Sequence, residues 1–338
     1  MKTILARNVN DALQQGIALI KMYGEEVDSR VGKTLEIPTP VSTVYHRPWE
    51  RVLINSARDA NPFFHLMESL WILAGRDDTK FLCEFNKRMV DYSDNGRTFN
   101  APYGFRLRKS ISYDPNQDQL QEVINILKKD PNSRQAVCQI WDPLDLTKST
   151  MDKACNMSII FRVRNNKLSM TVYNRSNDMI WGAYGANVVQ FSMIQEYVAA
   201  HLSLQMGSYT QVTNSYHIYT EGPGGKVWDA IKGQSITCEN QYQQFTDPLV
   251  IMDPNEMEAF DFDLNQFFTT YDHSGIEGIL SLNSQRWESA YFKKLVIPVL
   301  NIYRIYKELN SQVALRLTEH IIAPDWKRAC QIWLENRK

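Results

Sequence analysis

Apolar residues recur at the period of a helix in several parts of the chain. Residues 9–23 have the spacing of an amphipathic helix, with one apolar and one polar face. Residues 62–73 and 187–204 are apolar on most faces, which is typical of helices that are buried on all sides. Three further helices are predicted over residues 119–128, 291–309 and 326–333.

Other segments have the alternating pattern of strands. Residues 158–173 alternate around Asn165-Asn166, a dipeptide that tolerates left-handed dihedral angles, and this pattern predicts a β-hairpin. Further strands are predicted over residues 136–141 and 211–219, and a mixture of strand and loop over residues 31–48.

Residues 221–283 are polar, are interrupted by glycine and proline, and give no clear prediction. Within them, Gly222-Pro223-Gly224-Gly225 predicts a loop. Because the chain shows no repeats and no interdomain linker, we expect one α+β domain over residues 1–338.

Composition narrows the class of protein. Hydrophobic residues make up 43% of the chain, which is ample for a large core. The formal net charge is -1, so we expect neither nucleic acid nor a membrane as a partner. An anionic ligand must be held by a few individual arginines and not by a large positive surface potential. The N-terminus does not read as a signal peptide, and no apolar run is long enough to span a bilayer.

The 5 cysteines are scattered and lack the spacing of a metal site. Their odd number argues against a closed disulfide framework, so we expect a reducing cytoplasm. Cys155 stands out because Lys153 and Asn156 give it a polar, loop-like setting, and Arg175 could favour its thiolate if a hairpin brings the two together. The alternative is a small buried hydrophobe, the interpretation that suits Cys83, Cys138, Cys238 and Cys330.

Polar residues downstream of Cys155 suit a nucleotide. Arg175 and Ser176 offer a guanidinium and a hydroxyl to phosphate oxygens, although a surface salt bridge would explain them equally well. Asn187 could match the N3–H and O4 edge of uracil or could cap a helix. His217 and Tyr219 share one face of a strand, where they could donate to a sugar hydroxyl or form a core pair.

The order of these residues resembles the thymidylate synthase family. The resemblance extends over about residues 30–219 and also includes five upstream segments: Glu68-Ser69-Leu70-Trp71, Ala101-Pro102-Tyr103-Gly104, the arginines Arg106 and Arg108, Asp130-Pro131-Asn132-Ser133-Arg134, and more loosely Arg30-Val31-Gly32-Lys33-Thr34. It implies a thymidylate-synthase-like fold with a mixed sheet covered by helices. Among the members, phage-type deoxyuridylate hydroxymethylases are the most similar in character, which implies a viral origin.

The resemblance also implies a chemistry. Cys155 would add to C6 of a pyrimidine deoxynucleotide, and C5 would then take a one-carbon unit from 5,10-methylenetetrahydrofolate. The implied catalytic residues are Cys155, Glu68, Tyr103 and Asn187. The implied nucleotide-binding residues are Arg30, Arg134, Arg175, Ser176, Asn187, His217 and Tyr219. The implied folate-binding residues are Asp178, Trp71 and Glu68. Because burial disfavours a carboxylate, the pKa of Glu68 should be raised. Since Arg134 would serve the neighbouring site, a homodimer is expected.

Departures from thymidylate synthase favour water, and not hydride, as the group that captures the C5 methylene. The last residues form a charged amphipathic pattern where the family has an apolar, proline-containing tail. Asn156 replaces a histidine, one residue is inserted between Gly182 and Asn187, and Gln135 replaces a second arginine. The expected product is therefore 5-hydroxymethyl-deoxyuridylate.

Four alternatives remain at this point. The chain could instead make thymidylate, or it could act on deoxycytidylate, although the cytosine-specific relatives carry an acid where Asn187 stands. A non-catalytic nucleotide-binding module and an enzyme that acts on flipped bases in DNA are alternatives of other classes.

Overall fold

The computed structural model describes residues 1–109, 117–234, 241–247, 249–282 and 284–337. The interpretation of Cys238 as a buried hydrophobe therefore lies outside the described residues. The 11 helices of the described part are α1 Val9–Tyr23, α2 Pro62–Leu73, α3 Thr79–Phe85, α4 Tyr103–Arg108, α5 Gln119–Lys129, α6 Asn187–His201, α7 Gly222–Ile231, α8 Met257–Ser281, α9 Ile297–Glu308, α10 Ser311–Leu317 and α11 Pro324–Glu335.

One mixed sheet organises the fold. Its strands are β1 Lys2–Ala6, β2 Glu25–Ser29, β3 Gly32–Glu36, β4 Val41–Tyr45, β5 Val137–Gln139, β6 Asn156–Arg164, β7 Lys167–Asp178 and β8 Gln205–Tyr219. The order is β1-β4-β8-β7-β6-β5, and the β2–β3 hairpin joins through β3 to β8. The β1–β4 and β7–β8 pairs are parallel and the others antiparallel, as a mixed sheet requires.

The two faces of this sheet differ in burial. One row of side chains that runs across five paired strands is buried throughout, and it consists of Ile159, Val172, Gln211, Thr43 and Ile4. Helix α6 packs on β7 and β8, and α2 packs on α6. The next row, which points to the opposite face, is exposed or half-buried from Ile160 on β6 to Leu5 on β1. In the single chain, therefore, one face of the sheet carries the core and the other is open.

Most of the predicted elements are present. Helices α1 and α2 have the predicted bounds, and α5, α6 and α11 differ from prediction only at their ends. The predicted helix over 291–309 is a π-helical turn, Phe292–Val296, that continues into α9. The hairpin turns at Asn165 and Asn166, whose φ angles are 50° and 58°.

Three predictions need correction. Gly222-Pro223-Gly224-Gly225 is not a loop but the first turn of α7, since proline is tolerated where a helix begins. The segment 136–141 forms a strand only over Val137–Gln139, whereas 211–219 belongs to a longer strand that starts at Gln205. The division of the whole chain into a single domain stays a prediction.

Candidate active site

Cys155 lies in the loop immediately before β6, as the polar setting predicted. The antiparallel pairing of β6 with β7 brings Arg175 to it, and the Arg175 backbone N–H donates to the Cys155 carbonyl at 3.0 Å. The Arg175 guanidinium donates to the carbonyls of Ala154 at 2.8 Å and Lys153 at 3.0 Å. One of its nitrogens, Nη2, lies 3.6 Å from the Cys155 sulfur. The loop is thus held around the arginine, with the thiol beside a cation.

Burial and the Arg175 charge have opposite effects on the pKa of the Cys155 thiol. Burial raises the pKa of Cys155, the Arg175 charge lowers it, and the Asp152 charge raises it again; the net effect is a raised pKa. The predicted proximity of Arg175 is confirmed and its charge does lower the pKa of Cys155, but the loss of hydration outweighs one adjacent guanidinium.

Tyr103 is the first residue of α4 and lies near Cys155. Gly104 lets α4 pack closely on α2, because a Cβ there would lie 2.2 Å from the Ile72 carbonyl oxygen of α2. Burial raises the pKa of Tyr103 strongly, the charges of Cys155 and Asp152 raise it further, and interactions with the Asn156 side chain and the Cys155 backbone oppose the shift. Tyr103 therefore lies close to Cys155 as a neutral phenol.

Glu68 is buried in α2, and burial raises its pKa to about 7, against a smaller opposing interaction with Gln190 of α6. The expected raised pKa is confirmed, and its cause is the expected one. One carboxyl oxygen, Oε2, is buried without a hydrogen-bond partner in the described structure. A carboxyl with a pKa near neutrality can both donate and accept a proton.

Trp71 lies one turn after Glu68 in α2 and is buried. Its indole N–H donates to the Asp78 carbonyl at 3.1 Å, and its ring packs edge-on against Phe99. These contacts fasten α2 to the start of α3, and the predicted contact with folate stays a prediction.

Asn187 is held by a neighbour that sequence reasoning did not single out. Its side-chain Nδ2 donates to Asn177 Oδ1 at 3.1 Å. Asn187 is the first residue of α6, the N-cap position is occupied by Ala186, and no side chain caps this helix, so the capping alternative fails. A Cβ on Gly182 would lie 2.0 Å from Asn177 Oδ1, so only glycine leaves room for this contact. The segment in which the insertion is expected forms the π-helical turn Met179–Ala186.

Asp178 begins that π-helical turn. Its Oδ1 accepts from the backbone N–H groups of Ile180 at 2.8 Å and Trp181 at 2.5 Å, while Oδ2 is buried and has no partner in the described residues. Burial raises the pKa of Asp178. One oxygen therefore fixes the carboxyl group, and the other is available to a ligand.

His217 and Tyr219 stand at the same end of the sheet. Asp178 pairs with His217 across β7 and β8, and Ser176 pairs with Ser215. The rings of His217 and Tyr219 meet edge to face at 5.3 Å. Burial raises the pKa of Tyr219, with further contributions from the charges of Asp178 and Cys155. The strand ends thus bring the predicted base, sugar and phosphate contacts to one place.

Arg30 and Arg134 differ from the other predicted phosphate ligands because both are exposed. Arg30 is in the β2–β3 turn, near enough to Tyr219 for its charge to oppose the raised pKa of that phenol. Arg134 lies just before β5 at the far edge of the sheet, and it makes no ion pair within the described part of the chain. Gln135 beside it is also exposed.

Comparison with known proteins gives a consistent result. A family described as Thymidylate synthase matches residues 24–275. A protein named deoxyuridylate hydroxymethyltransferase from Pseudomonas phage M6 is 37% identical over 100% of this chain and 95% of its own length. One of the same name from Bacillus phage SP01 is 36% identical, covering 89% of this chain and 84% of its own. A putative thymidylate synthase of Methanosarcina acetivorans is 27% identical over 68% of this chain and 93% of its own.

The chain belongs to the thymidylate synthase family. The predicted family, its α+β fold and the resemblance to phage deoxyuridylate hydroxymethylases are confirmed. As a member of the thymidylate synthase family, the protein is a one-carbon transferase. Among the described helices, none has the length and apolar character that crossing a membrane requires.

The site of this thymidylate synthase family member also contains residues that sequence reasoning missed. They are Asp152, Asn177 and Gln190. Gln190 could have been found, because it lies one helical turn after Asn187 on α6. Asn177 lies in the polar run Asn174-Arg175-Ser176-Asn177-Asp178, but its contact with Asn187 depends on the π-helical turn. Asp152 is polar and close to Cys155 in sequence, yet its partner Ala101 is distant in the chain.

Proposed function

We propose that this enzyme converts deoxyuridylate to 5-hydroxymethyl-deoxyuridylate, with 5,10-methylenetetrahydrofolate as the one-carbon donor. The observation that carries the proposal is the thiol of Cys155 beside the Arg175 guanidinium at 3.6 Å, at the end of the sheet where Asn187 is oriented by Asn177. A nucleophile, a phosphate ligand and an amide that can match uracil are the parts such a reaction needs.

The site residues fit a folate. Asp178 Oδ2 is a buried acceptor without a protein partner, as N–H groups of a pterin would require, and Glu68 Oε2 is a second. When bound, methylenetetrahydrofolate would supply the carbon that is transferred to C5. Asp178, with Glu68 and Trp71 of α2, would hold it.

The residues of the chain would divide the work as follows. Cys155 adds to C6 of the ring as its proton leaves, and Arg175 stabilises the sulfur and contacts the phosphate together with Ser176. Asn187 accepts from N3–H, since its Nδ2 already donates to Asn177. Tyr103 helps to remove the C5 proton, and Glu68 exchanges protons with ordered water. His217 and Tyr219 donate to the sugar.

Water is favoured over hydride by two features. Two polar atoms of the described site that are not assigned to the folate, Gln190 Oε1 and Asn177 Nδ2, are also buried without partners. Buried groups of this kind are normally satisfied by a ligand or by ordered water, so the site has places for water. The two phage relatives that match most of this chain are also named deoxyuridylate hydroxymethyltransferases.

We also propose a homodimer, in which Arg134 reaches the phosphate site of the partner. The open face of the sheet supports it: Val137, Ile160 and Tyr173 are 45%, 36% and 40% exposed in the single chain. An apolar patch across several strands is typical of an interface. Arg134 precedes the strand at the edge of this face. Cytoplasmic localisation, with no nucleic acid and no membrane as partner, remains part of the proposal.

The decisive experiment identifies the product. The enzyme is incubated with deoxyuridylate and methylenetetrahydrofolate, the nucleotide is weighed by mass spectrometry, and dihydrofolate absorbance is followed. We expect a hydroxymethyl product without dihydrofolate, and no product from Cys155→Ser. A methyl product with dihydrofolate would contradict the proposal and identify a thymidylate synthase. Deoxycytidylate in parallel tests the choice of base.

A further inference from the structure

Asp152 occupies a position between the two reactive loops. It lies three residues before Cys155, and its Oδ2 accepts from the Ala101 backbone N–H at 2.7 Å, two residues before Tyr103. Its own backbone is fixed, because its carbonyl accepts from Asn100 Nδ2 at 3.0 Å and its N–H donates to Thr150 Oγ1 at 3.1 Å. The carboxyl group is therefore fixed to the backbone of the loop that carries Tyr103, and it lies near enough to Cys155 and Tyr103 for its charge to act on both.

The charge of this residue works against the first step of the reaction. Asp152 raises the pKa of both Cys155 and Tyr103, after the larger effect of burial on each. It makes no ion pair within the described ranges of the chain, and the guanidinium of nearby Arg106 is bound to Asp145 at 2.6 and 2.8 Å. An asparagine could accept the Ala101 N–H equally well. The hydrogen bond alone therefore gives no reason for a negative charge here.

We propose that the Asp152 carboxylate is the general base that activates the water captured in the hydroxymethyl step. This inference rests on the proposed function. The water oxygen forms a bond to the exocyclic methylene carbon as its proton moves to Asp152. The electron pair of the exocyclic double bond passes to C5 and the C4 oxygen, and then forms the C5–C6 double bond as the C6–sulfur bond breaks. Cys155 leaves as thiolate and recovers a proton.

The surroundings suit Asp152 to this role. Burial raises its pKa above the ordinary value, although the Ala101 N–H and the Arg106 charge oppose the shift, so it is a stronger base than a free carboxylate. Glu68 is placed differently, since it interacts with Gln190, one turn after Asn187 on α6, and so exchanges protons with ordered water at the edge of the base. Two carboxyl groups in different surroundings can thus move different protons.

The test is Asp152→Asn, which keeps the shape and an acceptor for the Ala101 N–H. Three products are measured: tritium released from C5-labelled deoxyuridylate, hydroxymethyl nucleotide, and the thioether formed when 2-mercaptoethanol is present. A thiolate attacks the methylene without a base, whereas water needs one. We expect the hydroxymethyl product to fall about 100-fold, while tritium release and thioether formation stay near wild type.

A second measurement checks the placement of the charge. Without Asp152 the thiol should ionise at lower pH, so the pH profile of iodoacetamide alkylation of Cys155 should shift downward. The matched control is Asp94→Asn, an exposed carboxyl that accepts from Thr150 Oγ1 and Met151 N–H in the same loop. It should leave both the product ratio and the alkylation profile unchanged.

Three results would overturn the inference. If Asp152→Asn makes the hydroxymethyl product at the wild-type rate, the carboxylate is not the base. If tritium release and both products fall together, Asp152 only holds the loops. If alkylation does not shift, the charge is not at the sulfur. A methyl product from the wild-type enzyme would instead refute the proposed function, and is thereby distinguished from all three.

Discussion

Gly182→Ala should impair recognition of the pyrimidine without unfolding the protein. The added Cβ would lie 2.0 Å from Asn177 Oδ1, far inside van der Waals contact. Asn177 must therefore move, and the 3.1 Å hydrogen bond that orients Asn187 is lost. Asn187 would then be free to rotate its amide, and the match to N3–H and O4 of uracil would no longer be fixed.

The magnitude follows from the hydrogen bond that is lost. Leaving one buried polar partner unsatisfied costs about 1–3 kcal/mol. If this cost appears in the transition state, kcat/KM for deoxyuridylate falls about 5- to 150-fold. The rate at which iodoacetamide alkylates Cys155 should fall less than kcat/KM, because that reaction does not use Asn187.

The assay compares kcat/KM for deoxyuridylate in Gly182→Ala and Gly233→Ala. Gly233 is a matched glycine, because a Cβ there meets nothing within 4 Å. Thermal unfolding of both variants controls for stability. If Gly182→Ala keeps the wild-type kcat/KM, or if Gly233→Ala falls as far, then the contact between Asn177 and Asn187 does not orient the base-reading amide.

Two other predictions concern the ionisable groups. The pKa of Glu68 is raised to about 7, from about 4.5 in the unfolded chain. The protonated carboxyl therefore favours the folded state below pH 4.5, and the free energy of unfolding falls by about 3 kcal/mol as pH rises from there to 7. In urea denaturation, Glu68→Gln should lose less stability than the wild type between pH 4.5 and pH 7, and an equal loss would contradict the raised pKa of Glu68. Arg175→Gln should raise the pKa of Cys155, because the positive charge of Arg175 lowers that pKa in the wild type. Alkylation of Cys155 by iodoacetamide at neutral pH should therefore be slower in the variant. An unchanged rate would show that the cation does not act on the sulfur.

The parts of the fold that sequence reasoning found are those whose pattern is local. Helix α2 is apolar on nearly every face, and the Asn165-Asn166 turn demands positive φ angles, so each is determined by adjacent residues. Strand β1 is only five residues long and needs its parallel partner β4 to form. Helix α8 was missed although its buried residues recur at helical spacing, as Met257, Phe260, Leu264, Phe267 and Tyr271 do. Charged and polar residues lie between them, and Gly275, whose φ is 66°, interrupts the helix.

The candidate site likewise contains features that the sequence predicts and features that depend on tertiary contacts. The order of Cys155, Arg175 and Asn187 indicates the family from sequence alone, and the structure places Arg175 beside Cys155 and Asn187 beside Asn177. The roles of Asn177 and Asp152 depend on contacts with residues that the sequence does not mark as partners. The ionisation of Cys155 could not be predicted either, because the sequence shows the adjacent cation but not the depth of burial that outweighs it.

Burial gives the three proton-bearing groups of the site a common property. The pKa values of Cys155, Tyr103 and Glu68 are all raised, and in each the largest cause is the loss of hydration. Neutral groups are the cheaper ones to bury, so burial shifts all three towards their protonated, neutral forms. In the proposed mechanism, negative charge develops on the sulfur as the thiol adds to the ring, and it can spread over the pyrimidine carbonyl near Asn187. Thiol ionisation and ring activation would then be one coupled event, so free Cys155 should react with simple alkylating agents far more slowly than it adds to bound nucleotide.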